Sequence, residues 1–300
     1  MRAGSAALVT AWVAALAPLT GCQATVPGAP RPVSTAAPLA APPARAALPR
    51  PAQPRSVFGG LPARLQRATD EAAADGATIS VAVLDRATHQ MVAKGDPQIL
   101  ATASVAKLFI ADEVLLQESR GDITLSVEDQ QALQAMLRSS DDDAAEKFWN
   151  QGGGSAIVAR VASRYGLAST APPADGRWWN TSSSVPDLIR YYDMLLDGTG
   201  GLPPELADVI ISNLARSTPA GIDGYPQRFG IPEGLYAEAV AVKQGWLCCI
   251  GEGWMHLSTG VIGPDRRYVM VIESLQQADD ATARATITRA VRTIFPVGRI

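Results

Sequence analysis

The sequence predicts an α/β fold, a five-stranded antiparallel sheet flanked by N- and C-terminal helices with an all-α lobe inserted between its strands. Three observations carry this. A helical pattern and two strand-like runs open the folded part, three strand-like runs and a helical pattern close it, and residues 101–238 between them are largely helical in periodicity. Terminal segments that jointly complete one sheet make a discontinuous lobe, residues 56–100 with 239–300. The hairpin-length turns at both ends suit antiparallel pairing. With 300 residues, 47% of them hydrophobic and 18% charged, the chain can bury a large core.

In chain order, Arg2 precedes an uncharged apolar run, Ala6 to Leu19, of a length that suits an export signal rather than a membrane span. The run ends in Leu19-Thr20-Gly21-Cys22, the pattern of a bacterial lipobox. Residues 1–21 therefore read as a lipoprotein signal peptide. Cys22 is the expected lipidation site, and the expected location is the extracytoplasmic face of the cell membrane. Residues 22–55 hold nine prolines and ten alanines and no acid, a composition that favours extended polyproline II and cannot bury a core. At roughly 3.1 Å per residue such a tether reaches on the order of 100 Å.

The first helix is marked by Leu61, Leu65, Ala68 and Ala72 at helical spacing, with Pro62 in its first turn and Gly76 closing it. Strand patterns follow at Thr78–Leu84 and Gln90–Lys94. Gly152-Gly153-Gly154, Pro172-Pro173 and Gly200-Gly201 punctuate the helical block. Strands return at Ala239–Trp246, Trp254–Ile262 and Arg267–Leu275, before a helix with Ala283, Ile287, Val291 and Ile294 on one face.

Composition excludes several functions. Net charge is −3 and no Lys/Arg-rich run occurs, against a nucleic-acid partner. Two histidines, His89 and His256, and three cysteines provide no zinc spacing, and no metal or cofactor is called for. A Ser-His-Asp triad would need one of those two histidines. His256 alternates with apolar strand neighbours and reads as structural, and His89 sits in an exposed turn. Trp149, Trp178 and Trp179 read either as core or as a sugar- or peptide-binding surface. Cys248-Cys249 is either a vicinal disulfide or two thiols.

Only four of the 26 basic residues are lysines, at 94, 107, 147 and 243. Lysine can lose its proton where arginine cannot. Lys107 lies one helical turn after Ser104, at the start of an apolar helix from Val105 to Leu116. Burial there lowers the lysine pKa, and a neutral amine beside a hydroxyl is a general base beside a nucleophile. The alternative is a helix-capping serine followed by a snorkelling lysine.

Two further motifs bear on that choice. Ser140-Asp141-Asp142 follows the helical run Gln131–Arg138, and Lys243-Gln244-Gly245 lies on a returning strand. With Ser104-x-x-Lys107, these resemble the Ser-x-x-Lys, Ser-Asp-Asn and Lys-Thr-Gly set of the penicillin-recognising serine enzymes, the class A β-lactamases and D-alanyl peptidases. Ser140 to Ala145 and Thr181 to Pro186 are also similar to stretches of that family. With its lipobox, the chain is similar to the LppW-type lipoproteins of mycobacteria. The resemblance implies a β-lactamase-like fold and a serine acyl-transfer activity on D-alanyl cell-wall peptides or β-lactams. It makes Ser104 the nucleophile, Lys107 its base, Ser140 a proton relay, and Lys243 the group that holds the substrate carboxylate and tunes Ser140. Backbone N–H groups of Ser104 and Trp246 would form the oxyanion hole, with Asp142, Gln244 and Gly245 beside the substrate.

Three departures bear on activity. Gln244 replaces a carboxylate-binding hydroxyl. Asp142 stands where the family has asparagine; it repels an anionic substrate and can hold Lys107 charged. No glutamate occurs from Lys147 to Pro204, where class A β-lactamases carry the residue that activates the deacylating water; Asp175 is the only acid there before Asp187. These departures predict weak or absent β-lactam hydrolysis. They leave open a catalytically inactive envelope lipoprotein that binds peptidoglycan or a protein.

Overall fold

A computed structural model describes residues 58–95, 98–250 and 253–300. The export signal, the tether and Cys22 lie outside the described residues. The chain opens with α1 (Leu61–Ala74), β1 (Ala77–Asp85), β2 (Gln90–Lys94) and β3 (Ile99–Ala101). A 3-10 turn, Ala103–Ala106, leads into α2 (Lys107–Ser119), followed by α3 (Val127–Arg138), α4 (Asp142–Gln151) and α5 (Ala156–Tyr165). A second 3-10 turn, Trp178–Asn180, precedes β4 (Ser182–Ser184), α6 (Val185–Asp197), α7 (Pro204–Leu214) and α8 (Ile231–Gly234). The chain closes with β5 (Val240–Ile250), β6 (Gly253–Ile262), β7 (Tyr268–Gln276) and α9 (Asp280–Ile294).

Five strands form the expected antiparallel sheet, in the order β2-β1-β7-β6-β5. Period-two alternation divides its side chains between two apolar layers. Met270 and Ile272 of β7 pack with α1 and α9, against Leu61, Leu65, Ile287 and Val291. Val269 and Val271 pack on the helical side with Val105, Phe109 and Tyr192. All four apolar positions read from each of α1 and α9 are buried.

The helical block differs from expectation in one respect. β3 and β4 pair antiparallel, Ile99 with Ser184, as a separate two-stranded sheet. Ser184 caps α6 by accepting from the Asp187 N–H, which requires extended backbone before the helix. Residues 182–184 are thus free to pair as a strand. β5 also continues past Trp246 to Ile250, across the cysteine pair.

α2 is buried on nearly every side, every residue from Lys107 to Leu116 included. Its interior charges are paired: Asp112 with Arg164 and Glu113 with Arg160, each at 2.6 Å. Among the described residues no helix is long and apolar enough to cross a membrane.

Candidate active site

Ser104 sits in the 3-10 turn before α2, and its position is over-determined. The Thr102 N–H and hydroxyl both donate to the Thr181 carbonyl, at 2.7 and 3.0 Å. Ala103 follows with φ 47°, a left-handed conformation that costs a non-glycine residue about 1 kcal/mol or more. β5 presses on this turn at Gly245, where a Cβ would stand 2.6 Å from the Thr102 carbonyl oxygen. Gly245, expected beside the substrate, therefore packs against the segment carrying Ser104.

Lys107 points back along α2 to Ser104, as one helical turn requires. Its Nζ lies 2.8 Å from Ser104 Oγ, 2.7 Å from the Ser140 carbonyl, 3.2 Å from Ser140 Oγ and 2.5 Å from Asp142 Oδ1. The Trp178 ring covers it at 4.6 Å. Burial lowers the Lys107 pKa from its ordinary value; Asp142 opposes this without reversing it. As a neutral amine, Lys107 can donate to the Ser140 carbonyl and Asp142 while its lone pair faces the Ser104 hydroxyl.

Ser140 lies between two lysines. Lys243 Nζ is 2.9 Å from Ser140 Oγ and 3.0 Å from the Gln244 carbonyl. Burial, with the charge of Lys107 nearby, holds Lys243 well below the ordinary lysine range. Ser140 has φ 57°, a second strained residue at the same centre. Asp141 caps α4 by accepting from the Ala144 N–H at 3.1 Å, which sets Asp142 in the first turn, where the helix dipole favours a carboxylate.

Ser104 opens onto a cavity of about 360 Å³. Its wall includes Trp178 and Trp179 from the second 3-10 turn, Tyr225, Trp246 three residues after Lys243 on β5, and Trp254 of β6. Asp142 and Asp223 complete its polar lining with Ser104, and Cys248 stands at it too. Tyr225 and Trp246 stack at 4.3 Å and 7°, while Trp178 and Trp179 meet edge to face at 5.2 Å. A larger depression of about 710 Å³ beside α1, β1 and β2 offers Asp70, Ser80 and Lys94 but no serine–lysine contact among the described residues.

The role expected of Gln244 is corrected. Strand alternation turns its side chain to the sheet face opposite Lys243, where Nε2 donates to the carbonyls of Gln227 and Phe229 at 3.1 and 2.6 Å. Asp175 is exposed, bonded to the Arg177 N–H and to Asn180 Nδ2, and does not line the cavity. His256 is buried behind the aromatic wall. Its Nε2 lies 2.8 Å from the Tyr225 hydroxyl, which in turn donates to Asp280. Burial pulls the His256 pKa down to about 4, so the ring is neutral and holds Tyr225 in place. His89 is exposed in its turn. Trp149 is core, with Nε1 donating to the Gly176 carbonyl. Cys248 and Cys249 are exposed free thiols with Sγ atoms 2.7 Å apart.

Asp223, Tyr225 and Trp254 escaped the sequence reading. Trp254 shares a strand face with His256, two residues on, so alternation could have found it. Asp223 and Tyr225 belong to an irregular turn, Gly221 to Pro226, with no periodic signal.

The fold places the molecule in a recognisable structural class. A β-lactamase from Chitinophaga pinensis matches at TM-score 0.65 with 16% identity, covering 79% of this chain and 100% of the other. The protein PBP-A matches at 0.64 with 17% identity, over 80% and 96%. The TLA-1 extended-spectrum β-lactamase matches at 0.65 with 12% identity, over 79% and 98%. The fold is therefore that of the class A β-lactamases and their penicillin-binding relatives. No protein-family model matches the chain. Proteins of Mycobacterium bovis and Mycobacterium tuberculosis, each named "Putative lipoprotein LppW", are 74% identical over 249 residues, 83% of this chain and 79% of theirs. The chain belongs to this mycobacterial LppW lipoprotein family.

Proposed function

We propose that the protein is an exported, lipid-anchored serine acyl-transfer protein, with Cys22 as its lipidated residue and the extracytoplasmic face of the membrane as its location. Ser104 attacks an acyl donor while Lys107 takes its proton. Ser140, bridging Lys107 and Lys243, passes a proton to the leaving nitrogen. The backbone N–H groups of Ser104 and Trp246 receive the developing oxyanion. The substrates are D-alanyl cell-wall peptides, with β-lactams as their mimics. The observation that carries this reading is the 2.8 Å contact of Lys107 Nζ with Ser104 Oγ at the mouth of a cavity.

Deacylation by water is the weak step, because the cavity lining presents no carboxylate from the 148–204 segment. The test is intact-mass spectrometry of the protein with benzylpenicillin while free drug is followed. A persistent adduct of one drug mass, absent in Ser104→Ala, supports acyl transfer with slow release. A second reading is an inactive envelope lipoprotein that binds peptidoglycan or a protein. The 2.5 Å contact of Lys107 with Asp142 favours it, since a protonated Lys107 is no base. No adduct and no drug loss would select that reading.

A further inference from the structure

We propose that the Ser104 cavity selects a cationic ligand, an ammonium group presented by an alkyl or peptidyl donor, over an anionic one. Its described lining holds two carboxylates, Asp142 and Asp223, and no lysine, arginine or histidine. Of the two lysines behind Ser104, Lys107 pairs with Asp142 at 2.5 Å, while neither contacts Asp223 among the described residues. Both are buried, and their nitrogens are engaged by Ser140, Ser104, Asp142 and the Gln244 carbonyl. Asp223 accepts from the Tyr225 N–H at 2.9 Å, and no ion pair of Asp223 occurs among the described residues. An incoming carboxylate therefore meets like charge at Asp223, and an incoming ammonium meets a carboxylate with no ion-pair partner among the described residues.

The rest of the wall has the same preference. Five aromatic side chains surround the space, and aromatic faces attract cations through their quadrupole. Two of these rings already carry one from the protein: Arg177 over Trp179 at 5.8 Å and Arg284 over Tyr225 at 5.5 Å. About 360 Å³ is room for a small organic cation or an amino-bearing side chain. As a statement about substrate, this rests on the acyl-transfer reading and makes the preferred donor a peptide with a free ammonium group. As a statement about binding, it rests on the cavity wall alone.

The test uses the full-length Ser104→Ala chain in a non-ionic detergent. Four of the six tryptophans line the cavity, so their fluorescence reports occupancy without any acylation. Choline is titrated against its neutral isostere 3,3-dimethylbutanol and the anion 3,3-dimethylbutanoate. Choline is expected to bind at least tenfold tighter than the alcohol, the anion weakest, and Asp223→Asn is expected to cut choline's advantage at least threefold. Equal or tighter binding of the alcohol, tightest binding of the anion, an advantage unaltered by Asp223→Asn, or no fluorescence response to choline each overturns the proposal. Adduct formation by the unsubstituted protein is scored separately with ampicillin, a β-lactam that carries a free amino group. Choline selectivity without an adduct defeats only acyl transfer, and an adduct without choline selectivity defeats only the cation site.

Discussion

Replacing Asp142 by asparagine removes the one carboxylate that contacts Lys107 Nζ among the described residues, and its effect follows from the geometry. At the observed 2.5 Å, a unit charge pair is worth about 1.7 kcal/mol at the dielectric of water and about 6.6 kcal/mol at an effective value of 20. The Asp142 side chain is 69% exposed, so solvent screening holds the interaction near the lower figure, about 1.5–3 kcal/mol. Since 1.36 kcal/mol is a factor of ten, the neutral fraction of Lys107 at a pH below its midpoint rises roughly 10- to 100-fold in Asp142→Asn. Asparagine can still accept from the lysine, which keeps the amine aimed at Ser104. The assay is the rate of labelling by a fluorescent penicillin from pH 5 to 9. The acid limb of the profile is expected to move to lower pH, with labelling at pH 7 about tenfold faster. An unmoved limb, a limb displaced to higher pH, or no labelling of either protein would refute the reasoning.

Lys107→Met keeps the buried volume and removes the base; labelling should slow by roughly 10²–10⁴-fold while circular dichroism shows a folded protein. Gly245→Ala drives a Cβ to 2.6 Å from the Thr102 carbonyl; urea unfolding should show a loss of about 1–3 kcal/mol, with slower labelling because the Ser104 turn shifts. Glu273 is buried on β7 with no partner for Oε1 among the described residues, and burial pushes its pKa up to about 8. The native state holds a proton there that the unfolded chain releases. Its contribution is therefore whole below pH 4.5 and lost as pH rises through 8, and stability relative to Glu273→Gln should fall by about 4 kcal/mol from pH 5 to 8. His256, with its pKa lowered to about 4, acts in the opposite sense. Its neutral form contributes fully above pH 6.5, and stability relative to His256→Asn should fall by about 3 kcal/mol as pH drops from 6.5 to 4.

The sheet was legible because its signal is local. The strand run Thr78–Leu84 divides its apolar side chains between the two core layers, and the helical spacing at Ala283–Ile294 buries one face of α9. The serine–lysine pair was legible for the same reason, since one helical turn carries Lys107 to Ser104. What alternation could also have decided was the side of Gln244, which one step along β5 turns away from Lys243. The cavity wall was less readable. Tyr225 reaches it from an irregular turn and is fixed there by His256 and Asp280, residues 31 and 55 positions away. The space at Gly245 is filled by Thr102, 143 residues earlier, so its occupant follows from tertiary packing alone.

Whether Ser104 is an activated nucleophile is tested most directly by mapping the penicillin-modified residue. The labelled protein is digested and its adduct located by tandem mass spectrometry. Two other nucleophiles stand near enough to compete: Ser140, whose Oγ is 3.2 Å from Lys107 Nζ, and Cys248 at the cavity. One adduct is expected, on Ser104, and it disappears in Lys107→Met. An adduct on Ser140 or Cys248, or no adduct at all, would contradict Ser104 as the nucleophile.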